Sequence, residues 1–324
     1  MIAPLGLSSE RVSSCKIAIA VFSVGRCTMG LLLLFFDGVG VGRDDPAANP
    51  FAAIGALRLA PVAGRTADGA FAPLDATLGV PGLPQSATGQ TTLLTGTNAA
   101  QVAGHHMTGV PGPSLWPLIE EHSLFRSLVR AGARPTFANA FSREYFGARR
   151  PRFSASTRAV LAAGLPFRMW DVEGRDAAAL SHDYTGEWMT RMGKPMPRLD
   201  AEGAARVLAR LVDGFDFVLY EYFLTDIVGH RGSFAQKLEQ ARRAEALVDA
   251  VLRRVDLAVH NVVVTSDHGN LEEGGHARHT LNPVPLLAWG PRAESLVSRA
   301  ADLTDVAPAV LTAVGARTGV RTLS

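Results

Sequence analysis

The chain has 324 residues, 47% of them hydrophobic and 19% charged, with a formal net charge of +2. That length suits one large α/β domain with a small insertion, and the near-neutral balance argues against nucleic acid or an anionic membrane as a partner. Two cysteines, Cys15 and Cys27, make neither a disulfide framework nor a metal knuckle, so a reducing, cytoplasmic setting is expected.

No stretch reaches the ~18 apolar residues that a membrane span requires. In residues 1–28 a short apolar run, Ile17 to Phe22, follows Arg11 and Lys16, and no Ala-x-Ala site comes after it. Met29 stands just before the next apolar run, so 1–28 is expected to be a disordered extension or a mis-assigned start.

Leu31 to Phe36 is continuously apolar, as in a strand buried on both faces. It runs into Asp37-Gly-Val-Gly-Val-Gly42. The glycine spacing does not fit a dinucleotide fingerprint, and an acid at the strand end would repel a pyrophosphate. Asp37 therefore reads either as a metal ligand or as a polar cap on a turn. Residues 43–80 show a short helix near Pro50 to Leu59 and no chemistry.

Ser86 follows a Pro loop and opens a helical pattern that includes Thr92, Leu93 and Leu94. A serine there either caps the helix or offers its oxygen where the helix dipole attracts an anion such as phosphate. Thr88 is a rival nucleophile. A loop with His105 and His106 follows. Leu115 to Ala131 is expected to be one amphipathic helix, and Pro135 to Phe141 a short strand.

Residues 142–205 lose this periodicity and read as a small inserted cap. Their arginines, among them Arg143, Arg149, Arg150 and Arg152, either meet a substrate's negative charge or are simply solvated.

Ala201 to Val212 reads as a helix and Asp216 to Phe223 as a strand. Asp226 and His230 lie just past its end. Ser233 with Gln236 makes a capping box for a helix that runs to about Val255. The strand Asn261 to Ser266 then ends in Asp267-His268-Gly-Asn-Leu-Glu272. An acid and an imidazole at a strand's carboxyl end offer a hard oxygen and a borderline nitrogen, a mixture that suits Zn²⁺ or Mn²⁺. His276 and His279 follow, then a closing strand, Val284 to Trp289, and a helix near Leu303 to Val314.

Asp37-Gly-Val-Gly, Ser86-Ala-Thr-Gly, Asp226-Ile-Val-Gly-His230, Asp267-His-Gly-Asn and His279-Thr-Leu-Asn-Pro-Val-Pro together resemble the metal motifs of the alkaline phosphatase superfamily. The nearest branch is that of cofactor-independent phosphoglycerate mutase and phosphopentomutase. The resemblance implies an α/β three-layer sandwich with a mostly parallel central sheet. Its metal-binding core would span 29–141 and 206–324, with the cap at 142–205.

It also implies two divalent metal ions, Mn²⁺ or Zn²⁺, with Mg²⁺ a further candidate. Asp226, His230 and His279 would hold one ion. Asp37, Asp267 and His268 would hold the other, with Ser86 as its further ligand and as nucleophile. Thr88, His105 and Arg143 are candidates for contact with a small phosphorylated substrate.

Ser86 and Asp226 are 140 positions apart (226 − 86), and part of that interval must be core helix and strand. The cap is thus small for a mutase, which must enclose its intermediate against water. The expected activity is hydrolysis of a small phosphate ester through a phosphoserine. A phosphomutase and a non-catalytic, metal-stabilised binding module are the alternatives.

Overall fold

A computed structural model describes residues 29–315, except 56–57, 148–151, 173, 175–177 and 195. The expectation for residues 1–28 lies outside the described residues, as do Arg149 and Arg150.

The strands are β1 (Leu31–Phe36), β2 (Ala70–Leu74), β3 (Pro135–Phe137), β4 (Ala140–Phe141), β5 (Arg168–Met169), β6 (Phe217–Tyr222), β7 (Asn261–Thr265) and β8 (Val284–Trp289). Six of them form the central sheet in the order β2-β8-β7-β1-β6-β3. β1 lies in the middle, parallel to both β6 and β7, and β3 is parallel to β6. β8 and β2 close one edge with antiparallel pairings. The fold is therefore α/β with a mostly parallel sheet.

Alternation along the buried strands builds a core on each face. Leu31, Leu33, Phe35, Leu219 and Val263 face one cluster, completed by residues of the helices Ser86–Thr95, Leu124–Arg130, Ala155–Ala162 and Val306–Gly315. Leu32, Leu34, Phe36, Val218, Tyr220 and Val264 face the other, completed by the helices Ala201–Gly214 and Phe234–Arg254. The result is three layers, helix, sheet and helix.

Several elements differ from the sequence reading. The helix at 115–131 is two helices, Trp116–His122 and Leu124–Arg130, because Ser123 adopts extended ψ (141°) and its hydroxyl caps the second one at Arg126 N. The strand at 135–141 also breaks. The Asn139 side chain donates to Glu221 O at 2.7 Å and accepts from Glu221 N at 2.9 Å, taking the place of backbone pairing. Ala140 and Phe141 then pair with β5 in a separate two-stranded sheet.

The helix near Pro50 stops at Ile54, where Gly55 takes a left-handed conformation. The edge strand β2 was not expected at all. Within 142–205, the helix Ala155–Ala162 packs into the first core cluster, while Ala179 and Met196 form a small cluster of their own with Ala140.

Candidate metal centre

The site lies at the carboxyl ends of β1, β6 and β7, where parallel sheets open their loops to ligands. Asp37 follows β1 directly. Asp267 and His268 follow β7 and are fully buried, each 0% exposed. Asp226 and His230 sit on a short helix, Leu224–Arg231, and not on a loop. The four-residue spacing puts both side chains on one face of that helix.

Ser86 is the first residue of the helix Ser86–Thr95, and Gln85 is its cap residue. The serine therefore is not a cap. One N–H at this end is already used, since Ala87 N donates to Met107 O.

Asp226, His230 and His279 each offer one ligand atom, all within 4.8 Å of one another, and Asp37, Asp267 and His268 do the same. Ser86 Oγ lies 3.0 Å from His268 Nε2, which places the hydroxyl against the second group. The rings of His268 and His279 stack at 3.7 Å, so the two groups adjoin. All seven motif residues thus converge.

Thr88, His105 and Arg143 do not join them. Thr88 is buried and donates to Gln85 O; His105 is exposed beside Ala103 O; Arg143 pairs with Asp171 at 3.4 Å.

The bonding of these groups fits a cation. His230 Nδ1 faces Ala277 O at 2.8 Å and His279 Nδ1 faces Pro84 O at 2.7 Å. A carbonyl only accepts, so both Nδ1 atoms carry the proton. The two Nε2 atoms then meet lone pair to lone pair at 2.9 Å, with Asp226 Oδ1 at 3.3 and 3.4 Å.

The second group is suited to a cation in the same way. Gln90 Nε2 donates to Asp37 Oδ2, and Gly38 N donates to Asp267 Oδ1. Asp37 Oδ1 and Asp267 Oδ2 are buried and accept no hydrogen bond. Buried, unpaired carboxylate oxygens are costly unless a cation meets them.

Electrostatics agrees. Burial, then the carboxylates of Asp267 and Asp226, pushes Asp37 well above the usual carboxylate range. Burial raises Asp267 too, against the opposing pull of His268.

Three polar residues with no role in the sequence reading support these groups, Gln90, Asn270 and Glu272, and a fourth, Glu221, is buried nearby. Asn270 Nδ2 donates to Asp226 Oδ1 at 2.7 Å. Glu221 is buried on β6 and accepts from Ser156 Oγ at 2.6 Å. Gln90 lies four residues after Ser86, a spacing visible in the sequence. The other three give no signal of this kind.

The fold is similar to that of the PH0037 protein from Pyrococcus horikoshii, with a TM-score of 0.54 and 14% identity over 90% of this chain and 98% of that one. It is also similar to an alkaline phosphatase from the Antarctic bacterium TAB5, with a TM-score of 0.53 and 10% identity over 88% and 98%. At such identities the likeness is one of fold, and it defines an alkaline phosphatase-like α/β protein.

Sequence goes further. Residues 193–318 match the family model described as Metalloenzyme superfamily. The 2,3-bisphosphoglycerate-independent phosphoglycerate mutase of Paracoccus denitrificans is 33% identical over 122 residues, covering 35% of this chain and 24% of the relative. The chain thus spans about a quarter of the length of the relatives it matches. Over that segment the chain is similar to the metalloenzyme superfamily and to the phosphoglycerate mutases, on an alkaline phosphatase-like fold, and a metalloenzyme of this kind implies divalent metal ions. Among the described residues no helix is long and apolar enough to cross a membrane.

Proposed function

We propose that this protein is a two-metal phosphoryl-transfer enzyme that hydrolyses a small phosphate ester through a phosphoserine at Ser86. The observation that carries the reading is the Ser86 hydroxyl, half-buried and 3.0 Å from His268 Nε2, beside two carboxylate oxygens without hydrogen bonds. Asp226, His230 and His279 would hold one ion; Asp37, Asp267, His268 and Ser86 would hold the other. Bound Mn²⁺, Zn²⁺ or Mg²⁺ would acidify the serine hydroxyl and neutralise charge on the phosphoryl oxygens.

Ser86 Oγ forms the new bond to phosphorus as the ester oxygen leaves and takes up a proton. Water then attacks the phosphoserine and frees both phosphate and Ser86. The short helix under Asp226 and His230 keeps their spacing fixed through this cycle, and the carbonyls of Ala277 and Pro84 hold the histidine tautomers.

Purified protein should bind two divalent ions per chain and cleave p-nitrophenyl phosphate. Ser86→Ala should cut that rate at least ~10³-fold, the order expected when a covalent nucleophile is removed, and should weaken only the ion that Asp37, Asp267 and His268 would hold. An active Ser86→Ala protein would remove Ser86 from the role.

The likeness to phosphoglycerate mutases, 33% identity over 122 residues, favours a second reading, transfer of the phosphoryl group to another hydroxyl of a held intermediate. Incubation with phosphoglycerates or phosphopentoses separates the two: an isomer supports the mutase, and free phosphate alone the hydrolase. Binding of metal without any turnover would leave the binding module.

A further inference from the structure

The loops that carry the ligands come from distant parts of the chain, and one side chain touches three of them. Glu272 is 2% exposed. Its Oε2 accepts from Gly40 N at 2.8 Å, in the loop after Asp37, and from Asn270 N at 2.8 Å, in the loop after His268. Its Oε1 accepts from Thr280 Oγ1 at 2.5 Å and Asn282 Nδ2 at 3.0 Å, in the segment that begins at His279.

No ligand-bearing atom of the two metal groups is among these partners. Glu272 therefore acts on the segments that carry the ligands and not on the ligand atoms themselves. The surrounding sequence makes room for it: a Cβ at Gly40 or at Gly269 would collide with the Glu272 carboxylate. Backbone bonds close the same junction, Leu271 N to Gly38 O at 2.9 Å and Thr280 N to Gly269 O at 3.0 Å. Asn270, held at its N–H by Glu272, uses its side chain on Asp226 Oδ1, which extends the reach to the fourth segment.

We propose that Glu272 is a positioning residue that fixes the spacing of the two metal groups by binding the loops after β1 and β7 and the segment of His279 through one carboxylate. The inference rests on the metal-binding role proposed above. An anion is suited to the task because it accepts from several donors at once, and charge-assisted hydrogen bonds are the strong ones. A glutamine of the same shape would turn an amide N–H toward at least one donor.

The test compares wild-type protein with Glu272→Gln. Mn²⁺ affinity is measured by competition with a chelator, the metal-free melting temperature by circular dichroism, and the ligand field by the visible spectrum after Co²⁺ substitution. Loss of a partner that orients ligands costs 10- to 100-fold in metal affinity, and that loss is expected here together with a changed Co²⁺ spectrum. A purely structural role would lower the melting temperature and leave the folded fraction with wild-type affinity and spectrum; that result overturns the proposal.

If Glu272→Gln does not fold, Asn282→Ala removes a single donor from the partly exposed side. It should weaken Mn²⁺ binding in the same direction, and unchanged affinity there overturns the proposal as well. If wild-type protein binds no divalent ion, the metal reading itself fails and this inference falls with it. If wild type binds two ions and Glu272→Gln binds them equally well, only this inference falls.

Discussion

Replacing Glu221 by glutamine should change how stability depends on pH. Glu221 is buried in the middle of the sheet's ligand end, with Ser156 Oγ donating to it at 2.6 Å. Burial, opposed by the Ser156 hydrogen bond and reinforced by the charge of Asp267, raises its pKa from 4.5 to about 7. The folded protein therefore holds this proton more tightly than the unfolded chain does. Stability from the bound proton is complete below pH 4.5 and is lost as the pH rises to about 7. A gap of that size corresponds to ~3 kcal/mol between the ends of the window.

Glutamine has no proton to lose and keeps an acceptor for Ser156. In chelator-treated protein, urea unfolding at steps from pH 5 to pH 8 should show wild type losing stability relative to Glu221→Gln by most of that ~3 kcal/mol. Asp37 and Asp267 titrate in both proteins, so the difference between them reports Glu221 together with its coupling to those two carboxyls. Parallel pH profiles would refute the reasoning.

Other outcomes follow from the same structure. Leu33→Ala, in the fully buried centre of β1 between Leu219 and Val263, should lower unfolding free energy by ~2–5 kcal/mol in urea. Lys237 Nζ donates to Glu273 O and His276 O, so Lys237→Met should leave two carbonyls unpaired, cost ~1–3 kcal/mol and speed proteolysis of the 273–279 loop. Chelation should lower the melting temperature, and Mn²⁺ at a hundred times its Kd should restore ~2.7 kcal/mol, measured by thermal denaturation.

The sequence carried the sheet well where strands are apolar on both faces. Leu31–Phe36, Phe217–Tyr222 and Asn261–Thr265 are uniformly buried, and the apolar runs Leu31 to Phe36, Phe217 to Tyr220 and Val262 to Val264 mark them. It failed where a single side chain overrides periodicity. Ser123 breaks an otherwise unbroken helical pattern, and Asn139 ends a strand that composition alone would continue. β2 is an edge strand, Ala-Phe-Ala-Pro-Leu, with weak alternation and a proline, and nothing local distinguishes it from a loop.

At the site, residues that chemistry requires were readable because acid and imidazole follow strand ends. Residues that orient them were not. Glu272 stands at the end of the run that begins at Asp267, yet its partners lie at Gly40 and Asn282 as well as beside it, and such pairing exists only in the folded chain.

What separates a cation site from an ordinary cluster of salt bridges is that Asp37, Asp267, His230 and His279 each have one atom committed to the protein and another turned to the group. Gln90 supplies this for Asp37: its amide takes Oδ2 at 3.1 Å and leaves Oδ1 without a hydrogen bond. Gln90→Leu keeps a side chain of similar length in a helix position that is almost wholly buried, and removes only the donor. Asp37 would then be free to rotate, and the ion held by Asp37, Asp267 and His268 should bind ~10- to 100-fold more weakly. The ion held by Asp226, His230 and His279 has no partner on that helix in its hydrogen bonds and should keep its affinity. Metal titration followed by calorimetry should thus resolve two unequal sites in Gln90→Leu. Equal weakening of both, or of neither, would show that hydrogen bonding at Asp37 does not set the occupancy of its own group.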